Sequence, residues 1–183
     1  MRIAILGTRG IPAEFGGFET FAEELATRLV EHGHEVTVFC ERSQRYRHPD
    51  YKGVKLKYIS TVHVVGLRSI WFDMVSIFLS LLRYDLVYML GYHSAFMYFL
   101  PRLFRRRFWV NMDGIEWKRD KWTRREKRYL RLMEKLAITW ADTLVADADG
   151  IAEHLVSRGA PRRKIVTIPY GAYPVTQKPN GGR

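Results

Sequence analysis

The stretch "ILGTRGIPAEFGGFETF", residues 5–21, decides how the rest of the chain is read. An apolar run from Arg2 to Leu6 ends at Gly7, a loop carrying Gly10, Gly16 and Gly17 follows, and an amphipathic segment opens at Gly17. That is the layout of the first βα turn of a nucleotide-binding α/β domain. Spacing tests which nucleotide. A Walker loop needs a Lys followed by Ser or Thr to reach phosphate and magnesium, and no such pair stands between Gly7 and Phe21. A dinucleotide fingerprint needs glycines at its first, third and sixth positions; here no G-x-G occurs and the loop is longer than that turn. Glu41, at the expected end of the second strand, still suits the ribose-binding acid of an NAD-dependent oxidoreductase, so that alternative stays open. Gly16 and Gly17 also have a plain packing use, letting strand and helix approach closely.

Outward from the loop, strand and helix patterns alternate. Strands are expected near 2–7, 35–40, 54–59, 85–90, 107–112, 142–146 and 164–168, with helices near 17–32, 68–83, 93–105, 123–141 and 149–158. The alternation predicts a Rossmann-like doubly wound α/β domain with a mainly parallel sheet of about seven strands, order 3-2-1-4-5-6-7, and helices on both faces. Phe18, Phe21, Ala22, Leu25 and Leu29 form the buried stripe of the first helix. In the helix near 123–141, Tyr129, Leu132, Met133, Leu136 and Trp140 are expected to face inward, leaving Arg124, Arg125, Lys127, Arg128 and Arg131 in solvent. The apolar stretch 68–83 is interrupted by Asp73 and falls short of a membrane span, so it reads as a sheet-covering helix. Residues 1–170 read as one domain and 171–183, with "TQKPNGGR", as the start of a linker.

The 183 residues, 47% of them hydrophobic, suffice for one well-packed domain. The single cysteine, Cys40, lies in an apolar run and reads as a packing residue; no disulfide framework exists. A first strand without a preceding basic and apolar leader gives the expectation of a cytoplasmic protein. The formal charge of +11 calls for an anionic partner. From Pro101 to Arg131 twelve Lys or Arg stand against four acids. Of the surfaces such a segment serves, an anionic membrane is preferred over nucleic acid, because aromatics in helical rhythm point to the core rather than to stacked bases. A non-enzymatic nucleic-acid-binding module remains the other alternative, with salt-sensitive binding as its signature.

Three passages go beyond generic α/β: "GTRGIPAEFGGFETF" after the first strand, "NMDGIEWKRDKW" after the fifth, and "LVADADGIAEHL" through "KIVTIPYGA" near the end. In order and spacing they resemble the N-terminal half of GT-B glycosyltransferases of the retaining family 4 kind, closest to the rhamnosyltransferase-like branch of surface polysaccharide synthesis. The resemblance covers residues 1–173. It implies a hexosyltransferase-type enzyme of two domains, in which a C-terminal domain, without a counterpart here, holds most of a dTDP-, UDP- or GDP-sugar. This half would meet a glycan or lipid-linked saccharide acceptor at the inner face of the membrane, as a peripheral protein. No cofactor beyond the nucleotide sugar, no metal and no nucleic acid is implied.

Site candidates lie where ligands collect in such sheets, after the carboxyl ends of strands. The resemblance brings Gly16 and Gly17 to the donor diphosphate, and a helix N-terminus offers the free N–H groups that a phosphate needs. Arg9 is a further phosphate or substrate contact. Asp113, in a D-G step, is the candidate catalytic carboxylate, orienting or deprotonating an acceptor hydroxyl; its alternative is a turn-forming Asp. His93, Glu116 and Trp117 are acceptor-side candidates, beside the reading in which the tryptophans anchor the loop. Asp147 and Asp149 are expected to cap the helix near 149–158.

Overall fold

Leu86 to Leu90 are buried at every position, without alternation, as a strand covered on both faces must be. This strand is near the centre of an eight-stranded sheet in a computed structural model that describes residues 1–14, 16–62, 67–169 and 171. In chain order the elements are β1 (Arg2–Leu6), α1 (Gly17–Glu31), β2 (Glu35–Glu41), β3 (Asp50–Tyr51), β4 (Val54–Ile59), α2 (Leu67–Ser80) and β5 (Leu86–Leu90). Then come α3 (Phe99–Leu103), β6 (Arg107–Asn111), α4 (Arg124–Trp140), β7 (Thr143–Ala146), α5 (Asp149–Ser157) and β8 (Ile165–Thr167). Short 3-10 turns occupy Ala95–Met97, Glu116–Lys118 and Arg162–Lys164.

The sheet order is β3-β4-β2-β1-β5-β6-β7-β8, and every pair except β3 with β4 is parallel. Its seven parallel strands stand in the expected order. The addition is β3, two residues joined to β4 by a turn in which Lys52 and Gly53 both have positive φ, 47° and 80°. That is the two-residue hairpin turn that matches strand twist, and a strand so short leaves no periodic trace. From β1 the chain steps outward through β2 to β4, then returns across β1 to β5 and continues the other way. Right-handed crossovers therefore put α1 on one face and α2 to α5 on the other. The reversal between β1 and β5 opens a crevice at the carboxyl ends of those strands.

Against one face, Phe18, Phe21, Leu25 and Leu29 of α1 flank Ala22 and Ala26 and pack on Ile3, Ile5, Val36, Val38 and Cys40. The Cys40 thiol is fully buried, and burial pushes its pKa up to about 11, in keeping with a packing role. On the other face Phe72 and Ile77 of α2, Met133 and Ala137 of α4, and Leu155 of α5 cover Leu6, Val87, Met89, Phe108 and Val110.

Three local expectations are corrected. The helix expected over 93–105 is a 3-10 turn followed by α3, because Pro101 has no N–H for the Met97 carbonyl four residues back. The buried face of α4 is Leu130, Met133, Glu134, Ala137 and Ile138, with Tyr129 and Leu132 exposed and Leu136 and Trp140 only partly buried. The stripe is rotated because a charged residue, Glu134, belongs to it. The helix α5 has Ala148 at its N-cap in extended conformation and no side-chain cap, so neither Asp147 nor Asp149 caps it. Instead Asp149 is in the first turn, where its charge suits the helix dipole.

Gly7 has φ +82°, and a Cβ on it would stand 2.2 Å from the Leu90 carbonyl oxygen, whereas Gly33, at φ +80°, has open space. Gly7→Ala is expected to lower the unfolding free energy by about 3 kcal/mol or more and Gly33→Ala by about 1 kcal/mol, read from urea midpoints. Equal midpoints for the two variants would contradict this packing at the β1–β5 junction.

Candidate functional site

The loop between β1 and α1 is held from several sides. Gly10 N–H donates to Thr8 Oγ1 (3.3 Å), Gln44 Nε2 to the Pro12 carbonyl (2.8 Å) and Ala13 N–H to the Glu23 carboxylate (2.8 Å). It delivers the chain to Gly16, the extended N-cap of α1, which makes no side-chain cap hydrogen bond. The side of Gly17 where a Cβ would stand is open space. Amides without a side-chain cap among the described residues, and the positive dipole end, thus lie at the crevice. A third residue joins the two glycines: Glu19, buried in the first turn, with no hydrogen-bond partner among the described residues. Its Oε2 stands 3.1 Å from where a Gly16 Cβ would be. The sequence held the signal, an acid three residues past the N-cap glycine, but the glycines drew the reading to phosphate.

Arg9 is exposed at the rim of a cavity of about 200 Å³ that Glu41, Ser43, Gln44 and Arg68 also line. Glu41 is buried and ion-paired with Arg68, and accepts the Ser43 hydroxyl at 3.1 Å. Gln44 Oε1 is buried without a partner among the described residues. Beneath α2's first turns Asp73 is buried and accepts the Ser94 hydroxyl at 2.9 Å. Burial pushes its pKa up to about 7, opposed by that hydrogen bond and assisted by the Glu41 charge.

Across the crevice, the ends of β5, β6 and β7 bring Asp113, Asp147, Glu116 and His93 together. Asp113 takes the left-handed conformation (φ 46°), and its N–H donates to Asn111 Oδ1 at 2.9 Å. Its carboxyl is half-buried, and its pKa is raised by burial first, then by the charges of Asp147 and Glu116. Asp147 Oδ1 is buried and unpartnered among the described residues. His93 stacks on Tyr92 with centroids 5.9 Å apart and lies 6.3 Å from the Trp122 ring. Burial lowers its pKa, against the Glu116 charge, so the imidazole is neutral at pH 7.

Glu116 is already engaged. It pairs with Arg119 and Lys121 and accepts from Trp122 Nε1 at 3.1 Å. Burial opposes its ionisation, yet these three contacts carry its pKa below the ordinary value. Trp117 is anchored through Nε1 to Glu134 Oε2 (2.9 Å), with the Arg131 guanidinium 4.4 Å from its ring centroid. Glu134 also accepts from Arg158 Nε (2.8 Å) and faces His154 Nε2 (3.0 Å), tying α4 to α5 and to the 116–118 turn. The hub passed unread because a glutamate in a basic helix looks solvated.

Comparisons with known proteins agree with this architecture. Residues 1–173 match the family described as Domain of unknown function (DUF1972). The chain belongs to the DUF1972 family. No curated protein sequence matches it. Among solved structures, sucrose-phosphate synthase from Thermosynechococcus elongatus is similar at a TM-score of 0.69 and 13% identity, covering 93% of this chain and 48% of that one. HepE from Anabaena, in complex with UDP and glucose, gives 0.63 and 16% over 94% and 45%. The catalytic domain of starch synthase IV from Arabidopsis thaliana, bound to ADP and acarbose, gives 0.64 and 13% over 93% and 51%. This DUF1972 chain thus has the Rossmann-like fold of one half of a GT-B fold, and it spans about half the length of the structures it resembles.

Asp73 supplies a pH test of the crevice in this DUF1972 chain. Its folded pKa of about 7 lies above the ordinary 3.8, so the folded state holds the extra proton between those values. Its contribution to stability is full below about pH 4 and is lost as the pH rises through about 7. Asp73→Asn is expected to remove that slope, so the variant gains on the parent as pH rises from 4 to 8 in denaturation curves. Parallel curves would contradict the buried carboxyl.

Proposed function

We propose that this chain is the acceptor-side half of a glycosyltransferase that moves a sugar, with retention, from a dTDP-, UDP- or GDP-sugar to a glycan or lipid-linked saccharide in cell-surface polysaccharide synthesis. The observation that carries the reading is the pairing, across one crevice at the sheet's switch point, of an uncapped glycine N-terminus with a half-buried carboxyl, Asp113. Nucleotide sugar chemistry needs both. The Gly16 and Gly17 end of α1 receives the diphosphate on backbone amides, with Arg9 as a side-chain contact. Asp113, with a raised pKa, accepts the hydrogen bond of the attacking acceptor hydroxyl and is better placed than an ordinary aspartate to take its proton.

Neutral His93, held by stacking on buried Tyr92, gives the acceptor one donor and one acceptor nitrogen beside the partly exposed Trp122 ring, on which a sugar can lie. Glu116 and Trp117 serve the acceptor by holding this loop, since their polar atoms are spent on Arg119, Trp122 and Glu134. A second domain closing over the crevice supplies most donor contacts, as the coverage of about half of each neighbour suggests. The NAD alternative loses its ribose acid, because Glu41 is taken by Arg68 and Ser43.

The test is a titration with dTDP-, UDP- and GDP-sugars and NAD, followed by transfer assays on the chain joined to a donor-binding half. Weak nucleotide-sugar binding by the chain alone, and transfer by the joined protein that drops about 100-fold or more in kcat on Asp113→Asn, are expected. Micromolar NAD affinity, or a reaction leaving the sugar on its nucleotide, would overturn the reading.

A further inference from the structure

Helix α2 carries polar residues on its buried side and large apolar residues on its exposed side. Its buried side carries Asp73, Ser76 and Ser80 beside Phe72 and Ile77. Ser76 and Ser80 return their hydroxyls to the Phe72 and Ile77 carbonyls (both 2.7 Å), and Asp73 is met by Ser94. The exposed side carries Leu67, Trp71 and Phe78 at helical spacing and continues past the helix end to Leu82; Phe78 is 68% and Leu82 71% exposed. Leu103, 70% exposed at the end of α3, and Phe104 extend the apolar surface, joined to the α2 end by the Arg106 Nε hydrogen bond to the Leu81 carbonyl (2.7 Å). Single exposed leucines are ordinary on a protein, but a run of them along one helix face is a contact surface.

Its charge is one-sided. From Leu67 to Met112 the chain has six arginines and two acids. Of those acids Asp73 is buried and Asp85 is paired with Arg2 at 3.0 Å. Arg83, Arg102 and Arg105 fringe the apolar patch, all exposed. Crowding of positive charge shows in two lysines nearby: after burial, Arg83 lowers the Lys57 pKa and Arg102 that of Lys164. The basic segment read from the sequence is not one patch. Arg105 and Arg106 precede β6 and Arg107 opens it, while Arg124, Arg125 and Arg128 follow it, at opposite ends of the sheet. Only the first group adjoins the apolar face.

We infer that the outer face of α2, with Leu103, Phe104 and the Arg83, Arg102 and Arg105 fringe, docks on an anionic lipid bilayer. Apolar side chains enter the headgroup boundary while guanidinium groups meet lipid phosphates, the two signals that together hold a peripheral protein. A second copy is disfavoured, since it would bring the same arginine fringe against itself. The inference deepens the lipid-linked acceptor reading and rests on it for its purpose, but its test contains no sugar. The chain is sedimented with phosphatidylcholine vesicles, with and without half phosphatidylglycerol, at low and high salt. Binding to the anionic vesicles should exceed that to neutral ones by roughly tenfold or more and weaken with salt. Both a Phe78→Ser, Leu82→Ser, Leu103→Ser variant and an Arg83→Gln, Arg102→Gln, Arg105→Gln variant should lose about tenfold. Their melting temperatures and circular dichroism should stay near the parent's, because the residues are exposed. Arg124→Gln with Arg125→Gln, at the other end of the sheet, should bind like the parent.

No vesicle binding, equal binding to neutral lipid, or binding unchanged in either triple variant would overturn the inference. So would a dimer that the serine variant dissociates, or single-stranded RNA bound in preference to vesicles. Nucleotide-sugar titration decides the functional reading independently, so either result can fail without the other.

Discussion

The contact on which the molecule turns is the approach of the end of β1 to the end of β5. Gly7 lies so close to the Leu90 carbonyl that a side chain has no room there, and its positive φ swings the chain out of the sheet. Everything functional follows from that swing. The loop it starts crosses to the Gln44 and Glu23 side chains before reaching Gly16, so α1 begins over the crevice with no side chain on its amides. The neighbouring strand leaves the sheet through Gly91, also at positive φ, whose missing side chain faces Phe18 on one flank and His93 on the other. Two glycines, one on each side of the switch point, keep the crevice open at its floor.

Carboxylates mark the walls, and their environments divide the labour. Glu134 and Glu116 are surrounded by donors and behave as pins, tying helices and loop together. Asp113 and Asp73 are short of donors, and their pKa values rise for want of solvent. The contacts of Glu116 hold its pKa below the ordinary value, whereas burial raises that of an under-solvated carboxyl such as Asp113 and readies it to take a proton. On the proposed reading this separation gives the chemistry to Asp113 and the scaffolding to Glu116, though they stand three residues apart in one loop.

Much of this was legible in the residues. Seven parallel strands, their order and the glycine loop follow from apolar runs that break at glycines, because hydrophobic periodicity and right-handed crossovers leave few alternatives. What stayed hidden depends on tertiary partners. Glu134 rotates the buried face of α4 only because Arg158, His154 and Trp117 converge on it, and none of them is its neighbour in sequence. The short β3 is a consequence of a turn at Lys52 and Gly53 rather than of its own two side chains. The cavity at Glu41 needs Arg68 to fold back from α2. Asp73 read as an interruption of an apolar stretch, and is instead buried on the inner side of α2 with Phe72 and Ile77, while Leu67, Trp71 and Phe78 stand outside.

That last inversion links the two ends of the molecule. A helix covering a sheet normally buries its hydrophobic stripe and shows its polar residues to water. In α2 the buried Ser76 and Ser80 return their hydroxyls to the helix's own carbonyls, so burying them costs little, whereas Asp73, met by Ser94 alone, shows the cost of burial in its raised pKa. The apolar residues left outside have no cover among the described residues, and a water-exposed row of Trp, Phe and Leu persists at a cost in solubility unless something covers it. One end of the same helix holds Arg68 against Glu41 at the crevice, and the other leads to Arg83 and Leu82 at the far edge of the sheet. A bilayer lying along this flank would reach from the arginine fringe to Leu67 and Trp71, beside the cavity that Arg68 lines. On the proposed reading a lipid-borne acceptor would then meet the chain on the flank where Arg68 of the same helix lines the cavity, so the outward face of α2, more than the total charge, is the feature through which membrane contact would be joined to chemistry.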